Sequence, residues 1–123
     1  MSTLIECTDL TMATAPDAAE LRERVNEASA FLKKLSNSDR LQVACALVEG
    51  EKSVRQLEDM LGIRQPGLSQ QLAELRTAGF VSARKEGKAV FYSLADERVK
   101  IFIRTMHQLF CTPRAVYAHV ESQ

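Results

Sequence analysis

Two short apolar runs at helical spacing, Val54, Leu57 and Leu61, then Leu68, Leu72 and Leu75, flank the segment Gly62-Ile63-Arg64-Gln65-Pro66 and constrain this chain most. Ser53 can cap the first run and Gly62 ends it; Pro66 suits the first turn of the second and Gly79 closes it. Two short helices joined by a tight glycine-containing turn have the shape of a helix-turn-helix.

The flanks complete the pattern. Asp17, just after Pro16, can cap a helix in which Leu21, Val25, Ala28 and Leu32 recur to about Leu35. Ser36-Asn37-Ser38 breaks that period and caps a second helix, with Leu41, Ala44, Cys45 and Val48 at i, i+3, i+4 and i+7 and a stop at Gly50. Downstream, residues 80–84 and 89–94 are β-rich and separated by Lys85-Glu86-Gly87-Lys88, which predicts a hairpin with a basic tip. A last helix opens at Asp96, and its apolar residues Val99, Phe102, Ile103, Met106, Leu109 and Phe110 form a face too wide for a surface helix.

With 123 residues the chain holds one domain with a modest core, so an apolar helical face without a partner is expected to find it in a second copy. The predicted fold is mainly α with a small β-hairpin, a winged helix-turn-helix that dimerises through its first and last helices. Residues 1–16 are expected to be a mobile arm, 17–111 the DNA-binding and dimerisation domain, and 112–123 a C-terminal tail. No run of about 18 apolar residues and no basic region followed by an apolar core is visible, so a cytoplasmic location is expected.

Lys+Arg 16 balance Asp+Glu 16, but the charges are segregated. Residues 1–61 carry 7 basic and 11 acidic side chains, whereas residues 62–92 carry Arg64, Arg76, Arg84, Lys85 and Lys88 against Glu74 and Glu86 only. In a winged helix the fourth helix enters the major groove and the basic hairpin touches the flanking backbone or minor groove. With the leucines inward, Arg64, Gln65, Ser69, Gln70 and Gln71 face outward, and Arg84, Lys85 and Lys88 supply charge from the wing. Gln can pair bidentately with adenine and Ser can bond a base or a phosphate, so double-stranded DNA is the expected partner. The competing reading is a solvated face on a structural bundle.

Residues 32–41 (LKKLSNSDRL), 65–72 (QPGLSQQL) and 84–88 (RKEGK), with Tyr92-Ser93-Leu94, together resemble the ArsR/SmtB family of dimeric bacterial repressors, from about residue 25 to 111. The resemblance implies a winged-helix homodimer that binds operator DNA and lets go when an inducer binds or modifies it. Many members sense metals, but two of the family's metal sites lack their ligands here. Ser53 and Arg55 stand where one group has a Cys-x-Cys pair; Asp96 is kept in the other site, but Arg98, Leu109 and Thr112 hold the remaining places. No metal or other cofactor is expected from these positions.

Cys45 and Cys111 look like the BigR/SqrR-like subgroup, in which two thiols react with persulfides, become joined by a disulfide or polysulfide link, and the protein leaves DNA. That resemblance implies a dithiol repressor whose inducer is a reactive sulfur species and whose targets are sulfide-detoxification genes. Cys7 lies outside the matched region. His107 and Arg104 share a helix face with Cys111 and favour its thiolate, whereas the negative end of the helix opposes it. Cys45, on an apolar face, has the alternative of being an inert small hydrophobe. Further alternatives are a metal- or haem-responsive repressor using Cys45, His107 and Cys111, and a general thiol-redox repressor. An enzyme is not expected, since neither a Cys/His signature nor a phosphate-cradling glycine loop is present.

Overall fold

The computed structural model describes residues 17–111. The arm 1–16 with Cys7 and the tail 112–123 with Thr112 and His119 therefore lie outside the described residues. The chain divides into two compact units between Lys33 and Lys34.

The first unit is carried by α1 (Ala18–Leu35), whose last two residues, Lys34 and Leu35, fall in the second. Its start is a reciprocal cap: Glu20 N–H donates to Asp17 Oδ1 at 2.8 Å, and Asp17 N–H donates to Glu20 Oε1 at 3.3 Å. Leu21, Val25 and Leu32, the stripe expected from spacing, are exposed.

The second unit holds α2 (Ser38–Leu47), β1 (Lys52–Ser53), α3 (Val54–Leu61), α4 (Gly67–Thr77), β2 (Val81–Glu86), β3 (Ala89–Leu94) and α5 (Glu97–Phe110). Asn37 caps α2 by accepting from Arg40 N–H, and Ser53 with Gln56 forms a capping box that starts α3. Gly62 ends α3 at φ 69°, a left-handed conformation that a side chain would strain. The core gathers Val43, Ala44 and Leu47 of α2, Leu57 of α3, Leu68, Leu72 and Leu75 of α4, and Val99 and Ile103 of α5, with Phe80, Val81 and Leu94 from the sheet side. This is the winged helix-turn-helix predicted from the two leucine runs.

Three details differ from the sequence reading. The hairpin is part of a three-stranded antiparallel sheet ordered β1-β3-β2, because Lys52 and Ser53 pair with Tyr92 and Phe91. A two-residue strand has no period to reveal it. The hairpin loop is also shorter than 85–88: Lys85 and Glu86 pair with Val90 and Ala89, which leaves Gly87, at φ 62°, and Lys88 as the turn. On α2 the deepest residues are Val43, Ala44 and Leu47, so Leu41, Cys45 and Val48 are only half-buried. The predicted stripe was centred one residue off the core, which puts Cys45 at the core's edge.

Candidate nucleic-acid interface and thiol pair

Burial of Leu68, Leu72 and Leu75 turns Ser69 and Gln70 outward on α4. Arg64 and Gln65, in the connection before it, are exposed as well. Pro66 at the N-cap supplies no side-chain cap, and Gln65 serves instead. Its Oε1 accepts from Ser69 N–H at 3.0 Å and from Ser69 Oγ–H at 2.7 Å. Ser69 Oγ thus spends its one donor on Gln65 and offers lone pairs outward, while the Gln65 amide nitrogen keeps its donors. Gln71 departs from expectation. It is half-buried and its Oε1 accepts from Arg40 Nη1 at 3.1 Å, so it faces α2 rather than solvent.

On the wing, Arg84, Lys85 and Lys88 are all exposed, but their charges are not equally available. Arg84 Nε and Nη2 donate to both carboxylate oxygens of Glu51 at 2.9 and 2.8 Å, Nη1 donates to Glu86 at 2.7 Å, and the guanidinium lies 4.8 Å from the Phe91 ring centroid. Glu51 is held below its usual range, first by the hydrogen bond from Arg84 and then by its charge. Lys85 and Lys88 carry no such pairing among the described residues.

Both described cysteines are free thiols: Cys45 half-buried on α2, Cys111 exposed at the C-cap of α5, where its N–H donates to the His107 carbonyl. Cys45 lines a pocket of ≈ 530 Å³ with Leu41, Ala46, Met60, Leu61 and Met106, and Ser38 and Gln42 at its polar side. Burial pushes the Cys45 thiol up, and the neighbouring Cys111 thiolate adds to the shift. Cys111, 66 residues further along the chain, therefore lies near enough for its charge to act on Cys45.

The two family metal positions are used for something else. Ser53 is the helix cap of α3, and Asp96 caps α5 by accepting from Arg98 N–H at 2.8 Å while Arg98 Nη2 donates to its other oxygen at 3.1 Å. Among the described residues no three His, Cys, Asp or Glu side chains form a group able to hold a metal ion, so Cys45, His107 and Cys111 do not make one.

Sequence reasoning missed Arg40 and Glu51. A signal for Arg40 was present: it stands three and four residues ahead of Val43 and Ala44, on the line of the core face, where a charged residue needs a partner. Glu51 meets Arg84 only because the sheet brings β1 alongside β3, and that pairing has no sequence signature.

The sequence profile described as bacterial regulatory protein, arsR family, matches residues 37–83. A biofilm growth-associated repressor of Agrobacterium fabrum is 45% identical over 93 residues, 76% of this chain and 80% of that protein. The transcriptional activator HlyU of Vibrio cholerae is 41% identical over 92 residues, 75% of this chain and 85% of its own. The structure of reduced HlyU from that organism superposes with a TM-score of 0.73 at 41% identity, covering 76% of this chain and 98% of that one. The crystal structure of the transcriptional repressor BigR from Xylella fastidiosa superposes with a TM-score of 0.70 at 42% identity, covering 76% and 92%.

Proposed function

The chain belongs to the ArsR family of bacterial regulatory proteins, and from that membership we propose that it is a dithiol repressor, bound to operator DNA when Cys45 and Cys111 are reduced and released when a reactive sulfur species joins them. It is a DNA-binding transcriptional regulator of BigR type and not an enzyme. One observation carries the thiol reading: Cys45 sits in the wall of an apolar pocket, close enough to Cys111 for the charge of one thiolate to act on the other.

The chemistry is a sulfur transfer followed by condensation. The exposed Cys111 thiolate attacks the outer sulfur of a persulfide R–S–SH, giving Cys111–S–SH and releasing R–SH once protonated. Cys45 then attacks the inner sulfur, forming the Cys45–Cys111 disulfide and expelling hydrosulfide. The two thiols are oxidised and the transferred sulfur is reduced to H2S. If both cysteines carry an extra sulfur, their condensation gives a trisulfide and the same H2S. Inserted sulfur relaxes the limit of about 7 Å between Cα atoms that a direct disulfide imposes. In a reducing cytosol such a link is a signal rather than a staple.

DNA contact is assigned to Ser69, Gln70, Gln65 and Arg64 around α4, and to Lys85 and Lys88 on the wing. Arg84 acts there as a strut that holds the wing, and Gln71 as a tether to α2. The exposed apolar residues Leu21, Val25 and Leu32 of α1 and Ile101, Leu109 and Phe110 of α5 are the surfaces of a homodimer. Residues 1–16 and 112–123 flank this 17–111 domain as arm and tail.

The test is intact-mass analysis of the reduced protein, with DNA binding followed in parallel, after separate exposure to an organic persulfide, a disulfide and peroxide. A Cys45–Cys111 link, as the disulfide or with the mass of one inserted sulfur, together with loss of DNA binding, is expected from the persulfide alone. Release by all three oxidants alike points instead to general thiol-redox sensing. Cys45→Ser and Cys111→Ser are expected to bind DNA and no longer release; release of either variant by the persulfide overturns the two-thiol mechanism.

A further inference from the structure

Arg40 lies outside both helices of the helix-turn-helix, yet its guanidinium reaches the recognition helix. Its backbone N–H, in the first turn of α2, donates to Asn37 Oδ1 at 3.1 Å. Its half-buried side chain spans two further segments: Nε donates to the Lys34 carbonyl at 2.7 Å, and Nη1 donates to Gln71 Oε1 at 3.1 Å on α4. The Lys34 carbonyl belongs to the last turn of α1, where helix carbonyls lack an intrahelical partner, so the bond satisfies both groups. A guanidinium is planar and rigid; once a backbone carbonyl holds Nε, the direction of Nη1 is set.

We propose that Arg40 is a positioning residue for DNA recognition, which fixes the rotation of α4 on α2 through Gln71 so that Ser69 and Gln70 meet base edges in register. Leu68, Leu72 and Leu75 packed with Val43, Ala44 and Leu47 bring the two helices together, but aliphatic contact is non-directional and leaves rotation about the α4 axis soft. A directional bond at the flank of α4 removes that freedom. It also gives the two glutamines different roles. Bidentate recognition of adenine needs the oxygen and the nitrogen of one carboxamide, and Arg40, which can only donate, occupies the oxygen of Gln71. Gln70 keeps both groups for the groove; Gln71 does not.

This role depends on α4 being the helix that enters the groove, and the experiment separates the two. Wild-type protein selects its preferred duplex from a randomised double-stranded library. Affinity for that duplex and for calf-thymus DNA is then measured at fixed salt for wild type, Arg40→Met, Arg40→Lys, Gln71→Met, Gln71→Glu and the double variant Arg40→Met/Gln71→Met. Arg40→Met and Gln71→Met are each expected to lower the specific-to-nonspecific ratio about fivefold, the worth of one hydrogen bond. The double variant should lose no more than the larger single loss, and Arg40→Lys should restore part of it. Gln71→Glu keeps an acceptor for Arg40, so it should retain the wild-type base preferences even as its added charge weakens binding to all DNA. That variant also decides the matter if Arg40→Met does not fold. An unchanged ratio in Gln71→Met, additive losses in the double variant, or altered base preferences in Gln71→Glu overturn the positioning role. Failure of the wild type to enrich any sequence overturns the α4 reading, and the positioning role with it.

Discussion

Arg84 grips both carboxylate oxygens of Glu51, at 2.9 and 2.8 Å, across 33 residues of chain. Glu51 precedes β1 and Arg84 lies on β2, at the two outer edges of the sheet, so the pair clamps both edges across β3. Because the Glu51 carboxyl is held below its ordinary value, the clamp's contribution is present above about pH 4.5, the unfolded carboxylate value, and is lost as pH falls through the lowered one. Glu51→Gln should flatten this acid-side dependence of stability. Urea midpoints measured between pH 6 and 3 check it, and identical slopes for both proteins sink the idea.

The same commitment of Arg84 sets an expectation for DNA binding. Phosphate contacts release counterions, so each lysine that grips a phosphate adds about 1 to the slope of log affinity against log salt. Lys85→Ala and Lys88→Ala should each lower that slope by about 1, whereas Arg84→Met should change it less, since Glu51 and Glu86 already neutralise the guanidinium. Equal slope changes for all three would return Arg84 to the phosphate contacts.

What was legible in the sequence follows from how local each determinant is. Helix starts and stops are local: Asp17, Asn37, Ser53 and Asp96 cap as their positions announce, and Gly62 and Gly87 adopt the positive φ their turns require. The inward leucines of α4 are periodic and were readable for the same reason, which made the outward Ser69 and Gln70 readable too. Glu51–Arg84 and Arg40–Gln71 are partnerships between segments 33 and 31 residues apart, and nothing in a single sequence pairs them. Their consequence is specific: two residues that look like free DNA contacts, Arg84 and Gln71, are already spoken for inside the protein.

The start of α5 should be a measurable source of stability. Asp96 accepts from Arg98 N–H at 2.8 Å and from the Arg98 guanidinium at 3.1 Å, and its carboxyl is held low chiefly by the guanidinium hydrogen bond. Asp96→Ala removes cap and pair together and should cost about 1 kcal/mol, the usual worth of an N-cap. Asp96→Asn keeps the cap acceptor and should cost less. Urea unfolding of the reduced proteins checks the order, and an equal cost for both variants would assign the effect to the ion pair instead.

The Cys45 thiol offers a test of whether the charge of Cys111 reaches it. Burial is the larger cause of its raised value and the Cys111 thiolate the smaller. Alkylation by iodoacetamide requires the thiolate, so the rate at Cys45 should rise with pH through a midpoint above 9.0, the ordinary thiol value. In Cys111→Ser the charge is gone while the burial remains, so the midpoint should move down without reaching the ordinary value. Site-resolved mass spectrometry over pH 7–11 follows both proteins. The sign for stability is the reverse of the carboxylates: a raised thiol stabilises the fold fully below about pH 9, and that stabilisation fades as pH climbs through the folded value. A wild-type midpoint at or below the ordinary thiol value would mean that burial does not raise it, and a midpoint indifferent to Cys111→Ser would mean that the charge of Cys111 does not reach Cys45. The proposed link between them would then need a rearrangement of α2 against α5.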